Sequence, residues 1–140
     1  MSDVPNELIQ AYESTSFRAR TPDLVVIRVR EICQPLDGLL DKVGLETWAF
    51  ITASNPESNQ LSDEDNAARN NQLLEDIHAY QPHVYRGEGV PDNPGWSPEA
   101  SLLILGIDKA SALQLGKKYG QNAIVCGAKG EPAELLFCLC

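Results

Sequence analysis

Apolar positions recur first at helical spacing, as Leu8, Ile9 and Tyr12 between Asn6 and Glu13, which predicts a short amphipathic helix. The segments Thr15 to Arg20 and Leu24 to Arg30 flank the turn-forming triplet Thr21-Pro22-Asp23 and are expected to pair as a hairpin. Leu36, Leu39, Leu40 and Val43 return to helical spacing and stop at Gly44, and an apolar strand follows over Thr47 to Ala53. Ser62 offers an oxygen cap, with Asp63, Glu64 and Asp65 in the first turn of a helix running to about Tyr80. His83-Val84-Tyr85 reads as a short strand ending in Arg86-Gly87-Glu88-Gly89, where the glycines permit unusual backbone geometry or close approach. Val90 to Pro98, with three prolines, reads as a loop of lid-like length and not as a central strand.

Ser101 to Ile107 is almost wholly apolar, the mark of a strand covered on both faces. Asp108 caps a helix over Lys109 to Tyr119, which ends in Lys117, Lys118 and then Gly120. Strands over Ala123 to Gly127 and Ala133 to Cys138 close a hairpin through Ala128-Lys129-Gly130. Together these predict a single domain over residues 1–140 of α/β or α+β class, with a mixed sheet of five to seven strands flanked by helices. With 43% hydrophobic and 22% charged residues, 140 residues suffice for one core.

The formal net charge of -9 opposes a phosphate backbone unless the basic residues gather on one face. Arg18, Arg20, Arg28 and Arg30 are near neighbours, but on strands their spacing reads as solvated faces, so no nucleic-acid partner is expected. The first residues lack a basic start and an apolar run, and no stretch approaches a bilayer span, which predicts a cytoplasmic protein with no membrane partner. In that setting Cys33, Cys126, Cys138 and Cys140 are expected as thiols, with Cys126 and Cys138 as small core residues. A lone Cys138-Leu139-Cys140 is a weak metal signal, and the run Glu57 to Asp65 lacks the alternating oxygen ligands of a calcium loop. No metal and no cofactor are predicted.

The candidate site follows from the helix after Ser62. Its inward stripe, traced backwards from Ile77, Leu74 and Leu73 to Asn70, Arg69 and Asn66, turns from apolar to polar. Because the helix begins near the end of the preceding strand, its polar turns should lie close to Asn55, where α/β domains commonly hold ligands. The alternative is structural: Asn66 and Asn70 satisfy loop carbonyls while Arg69 pairs with Glu64 or Asp65. Trp96 either stacks on a ligand or covers the core edge, the second being commoner for such loops. With only His78 and His83 present, a Ser/His/Asp or Cys/His nucleophile set is poorly supported. A paired-carboxylate mechanism would use Glu88 and Glu99, with Arg69 holding an anionic group that Gln121 or Asn122 orients.

The ordered set Ala49-Phe50-Ile51-Thr52-Ala53-Ser54-Asn55-Pro56, Asn66-Ala67-Ala68-Arg69-Asn70, Gly87-Glu88-Gly89, Trp96, Glu99 and Tyr119-Gly120-Gln121-Asn122-Ala123 resembles a bacterial domain-of-unknown-function family, number 3293. Ala11-Tyr12 also fits that pattern. The resemblance carries no activity. It implies a shared polar set of Asn55, Asn66, Arg69, Asn70, Glu88, Glu99, Gln121 and Asn122, with departures at Ser54 and at Ala100-Ser101-Leu102.

Three functions compete on these residues. The first is binding of a small polar or anionic, nucleotide-like ligand, with Arg69 as charge partner and Asn55, Asn66, Asn70, Gln121 and Asn122 as amide contacts. The second is an enzyme using Glu88 or Glu99 on the same pocket. The third is a structural or interaction module, with the apolar ending Leu135 to Cys140 pairing two copies through an open sheet edge.

Overall fold

The computed structural model describes residues 6–56, 59–93, 95 and 97–138. Its elements run α1 (Asn6–Glu13), β1 (Thr15–Arg20), β2 (Leu24–Ile27), α2 (Gln34–Val43), β3 (Thr47–Ile51), α3 (Asp63–Asp76), β4 (Val84–Pro91), β5 (Glu99–Leu105), α4 (Lys109–Lys118), β6 (Ala123–Ala128) and β7 (Glu134–Phe137), with a 3-10 turn at His78–Tyr80. The helix ends are set by local chemistry. Gly44 takes a left-handed φ of 74° after α2, Ser62 accepts from the Asp65 N–H at the start of α3, and Asp108 accepts from the Ser111 N–H at the start of α4.

One seven-stranded sheet has the order β2-β1-β4-β5-β3-β6-β7. The α/β content agrees with the sequence, but every ladder is antiparallel, and the parallel contribution is one isolated bridge, Val29 to Ala133. That bridge ties the chain after β2 to the chain before β7: the Arg30 N–H donates to the Ala133 carbonyl at 2.8 Å and the Ala133 N–H to the Glu31 carbonyl at 3.0 Å. The sheet therefore curls until its two outer strands approach each other.

Apolar side chains alternate across this sheet into two cores. On one face Phe17, Ile27, Trp48, Phe50 and Leu103 pack with Leu36 and Leu40 of α2. On the other, Ala49, Ile51, Leu102, Ile104 and Ile124 pack with Leu73 of α3 and Ala112 of α4. Burial on both sides explains the continuous apolar run in β5.

The sequence reading departs from the structure at β4. Gly87 and Gly89 do not end a short strand; β4 runs through both, pairing with β1 and β5. Gly87 is required by close approach, since a Cβ there would lie 2.2 Å from the Arg18 carbonyl oxygen. Val90 and Pro91 belong to the strand and not to a loop. Pro91 is tolerated because it lies past the last β5 partner, the Gly89 to Glu99 pair, and meets only Thr15 of β1. Trp96 and Cys140, to which the sequence reading gave roles, lie outside the described residues.

Candidate functional site

The inward stripe of α3 meets the end of β3 as its spacing predicts, and the meeting is made of side-chain amides bonded to backbone. Asn55 has a left-handed φ of 45°, a conformation that asparagine tolerates better than most residues. Asn66 holds it there: the Asn55 N–H donates to Asn66 Oδ1 at 2.9 Å, and Asn66 Nδ2 donates to Asn55 Oδ1 at 2.9 Å. One turn on, Asn70 Oδ1 accepts from the Ala53 N–H at 2.8 Å while its Nδ2 donates to Ser54 Oγ at 2.9 Å. The same loop is held from the α4 side, where Gln121 Nε2 donates to the Ser54 carbonyl at 3.0 Å and the Tyr119 carbonyl at 3.2 Å.

Arg69 is neither open to solvent on all sides nor paired with Glu64 or Asp65. Its Nε donates to the Ala53 carbonyl at 2.6 Å and its Nη2 to the Tyr119 carbonyl at 2.5 Å, with the guanidinium 5.8 Å from the Tyr119 ring centroid. It thus caps the carboxyl end of α4, where unpaired carbonyls attract a cation, and ties that end to the β3–α3 loop. Asn66 and Asn70 serve backbone N–H groups of the loop, where the structural alternative had them on carbonyls. The tie continues through Tyr119, whose hydroxyl donates to Asp76; Lys118 Nζ reaches the same carboxylate at 2.7 Å and, with Tyr119, holds it below the ordinary carboxylate range.

Glu99 stands at the end of this network, half-buried. Asn55 Nδ2 donates to Glu99 Oε2 at 2.8 Å, and no ion pair among the described residues involves this carboxylate. Burial raises its pKa above the usual glutamate range, and the Asn55 hydrogen bond only partly opposes that. Tyr12, from α1, meets the backbone of Ala123 and lies within range of the Glu99 charge; burial first, then that charge, raise its phenol pKa. Tyr12 is the site residue that sequence spacing missed, because its position on the apolar stripe of α1 gives no sign of a carboxylate neighbour. Asn122 is half-buried at the same end of the sheet, its carbonyl accepting from the Cys138 N–H at 2.9 Å.

Glu88 is not brought to this group. It lies opposite Ala100, whereas Glu99 lies opposite Gly89, so the two carboxylates belong to opposite faces of the sheet. Glu88 is exposed, beside Arg18 in the register. Among the described residues no group of three or more His, Cys, Asp or Glu could hold a metal ion, and no helix is long and apolar enough to cross a membrane. A cavity of about 750 Å³, lined by Val29, Trp48, Gly127, Ala133 and Leu135 among others, lies at the seam of the curled sheet and contains none of the predicted site residues.

A family model described as a protein of unknown function, DUF3293, matches residues 51–124, a span that holds Asn55, Asn66, Arg69, Asn70, Glu88, Glu99, Gln121 and Asn122. No curated protein and no solved structure matches the chain.

Proposed function

Because the chain belongs to the DUF3293 family of proteins of unknown function, its activity has to be read from its own geometry, and we propose that it binds a small polar ligand at Glu99. The observation that carries this reading is a carboxyl group withdrawn from water, held by one amide and lacking a cationic partner among the described residues. Burial without charge compensation is unfavourable for the fold, and groups kept that way concentrate at functional sites. Asn55 holds one carboxyl oxygen, and it and Tyr12, on which the Glu99 charge acts, would orient a ligand offering a hydroxyl, amine or amide proton.

Asn66, Arg69, Asn70 and Gln121 form the scaffold beneath this site. Their polar atoms are engaged with residues 53–55 and 119, which lessens the case for Arg69 as the anchor of an anionic ligand. An enzymatic version rests on Glu99 alone. A carboxyl with a raised pKa can give or take a proton nearer neutrality than an ordinary glutamate.

The test is to denature purified protein and compare the small molecules it releases with those from Glu99→Ala and Arg69→Ala proteins by mass spectrometry. A compound absent only from the Glu99→Ala sample is the expected result. A compound lost with Arg69 but kept without Glu99 would move the site to the guanidinium, and identical profiles in all three would end this reading. For the enzymatic version, Glu99→Gln protein should retain that compound yet leave it unchanged where the native protein converts it.

A further inference from the structure

Helices α3 and α4 cover β5, β3 and β6 on their side of the sheet, and among the described residues the same side of β2, β1 and β4 carries exposed side chains beyond the buried Ser16. The register gives its composition. Leu24 pairs with Arg20 and Val26 with Arg18 across β2 and β1, while Arg18 pairs with Glu88 across β1 and β4. Directly opposed residues share a face, and alternation adds Arg28 on β2's continuation and Arg86 on β4. Leu24 and Val26 are 49% and 43% exposed, and Arg18, Arg20, Arg86 and Glu88 are exposed as well. Four of the 11 basic residues of a chain with net charge -9 thus gather on one small surface, where Arg86 of β4 joins Arg18, Arg20 and Arg28, already near neighbours in the sequence.

Two of these arginines are already engaged. Arg28 makes a forked pair with Asp92 at 2.8 and 3.2 Å, and Arg18 Nε donates to Ser16 Oγ at 3.1 Å. Arg20 and Arg86 have no ion pair among the described residues. The β1–β4 ladder ends at the Ala19–Gly87 pair, and Arg20 and Arg86 are the next residues of the two strands, so two guanidiniums without an ion pair among the described residues stand at one end of the ladder, where an anion between them would relieve their repulsion.

We infer that this open face docks an acidic segment of a partner protein, with carboxylates between Arg20 and Arg86 and an apolar side chain on Leu24 and Val26. Exposed aliphatic residues beside arginines are the makings of a protein interface, where arginine is enriched. A nucleic-acid strand is disfavoured because the described face carries no aromatic side chain to stack bases and the whole chain repels a long polyanion. A second copy meeting the same face through a two-fold axis at Arg20 and Arg86 would set arginine against arginine.

The probe is a short fluorescein-labelled peptide of repeated Glu-Glu-Leu units, followed by fluorescence anisotropy. Native protein should bind it with an affinity that falls as salt is added, and Arg20→Glu with Arg86→Glu should weaken binding by about tenfold or more. Lys42→Glu, on α2, should leave it unchanged. The single Arg20→Glu change keeps the test independent of folding: opposing Arg86 with a carboxylate should hold or raise the melting temperature while peptide binding falls. No binding, equal binding by the double variant, tighter binding of an oligothymidine strand, or self-association that Arg20→Glu abolishes would each overturn the proposal.

Discussion

Asn66 and Asn70 lie one helical turn apart and address successive residues of one loop, so each works through two hydrogen bonds that no smaller side chain can replace. Asn66→Ala should lower the unfolding free energy by about 2 kcal/mol, since it removes both bonds and leaves the half-buried Asn55 N–H without its partner, as urea titration would measure. Arg69→Lys should cost about 1–3 kcal/mol, because one ammonium cannot reproduce the fork that spans the Ala53 and Tyr119 carbonyls. Glu99 has the opposite sign. Its folded-state pKa is raised, so the native protein holds the proton more tightly than the unfolded chain, and this contribution to stability is lost as pH rises through the folded value. Glu99→Gln, whose amide oxygen can still accept from Asn55, should therefore melt higher than the native protein at neutral pH, with the gap closing at about pH 4 and below, where the unfolded-state glutamate is also protonated. Melting curves across that range would show a constant gap if the carboxyl were solvated.

At the level of the element, β4 separates what the sequence discloses from what it conceals. The caps at Ser62 and Asp108, the stop at Gly44 and the apolar run of β5 are local signals, and the helices and central strand they define are where the pattern puts them. Two glycines and a proline are also local signals, yet in β4 they answer to a neighbouring strand that no local pattern contains. Gly87→Ala should accordingly destabilise the protein by about 3 kcal/mol or more, because the clash is with the Arg18 backbone and not with a side chain that can turn aside. A melting temperature within a degree or two of the native one would mean that β1 and β4 separate easily. The polar stripe of α3 was legible for the same reason that its caps were: helical spacing states which residues share a face. Whether those residues bind a ligand or the chain itself depends on which backbone groups lie across from them, and spacing does not carry that.

Over the whole molecule, charge and curvature are the properties least visible in the linear chain. Arg86 joins the arginines of the β1–β2 hairpin only once the strand order places β4 beside β1, and Glu88 lies there with them instead of with Glu99. The seam between Val29 and Ala133 is likewise a product of the whole sheet, since neither residue belongs to a named strand and they stand near opposite ends of the chain. A contact between such distant segments has a long loop to close and is expected to form after the local hairpins β1–β2 and β6–β7. The seam then acts as a latch on an assembled sheet, absent from the transition state for folding. Val29→Ala should leave the refolding rate nearly unchanged and speed unfolding, so that the time the protein stays folded, more than the ease with which it folds, is governed at that single crossing.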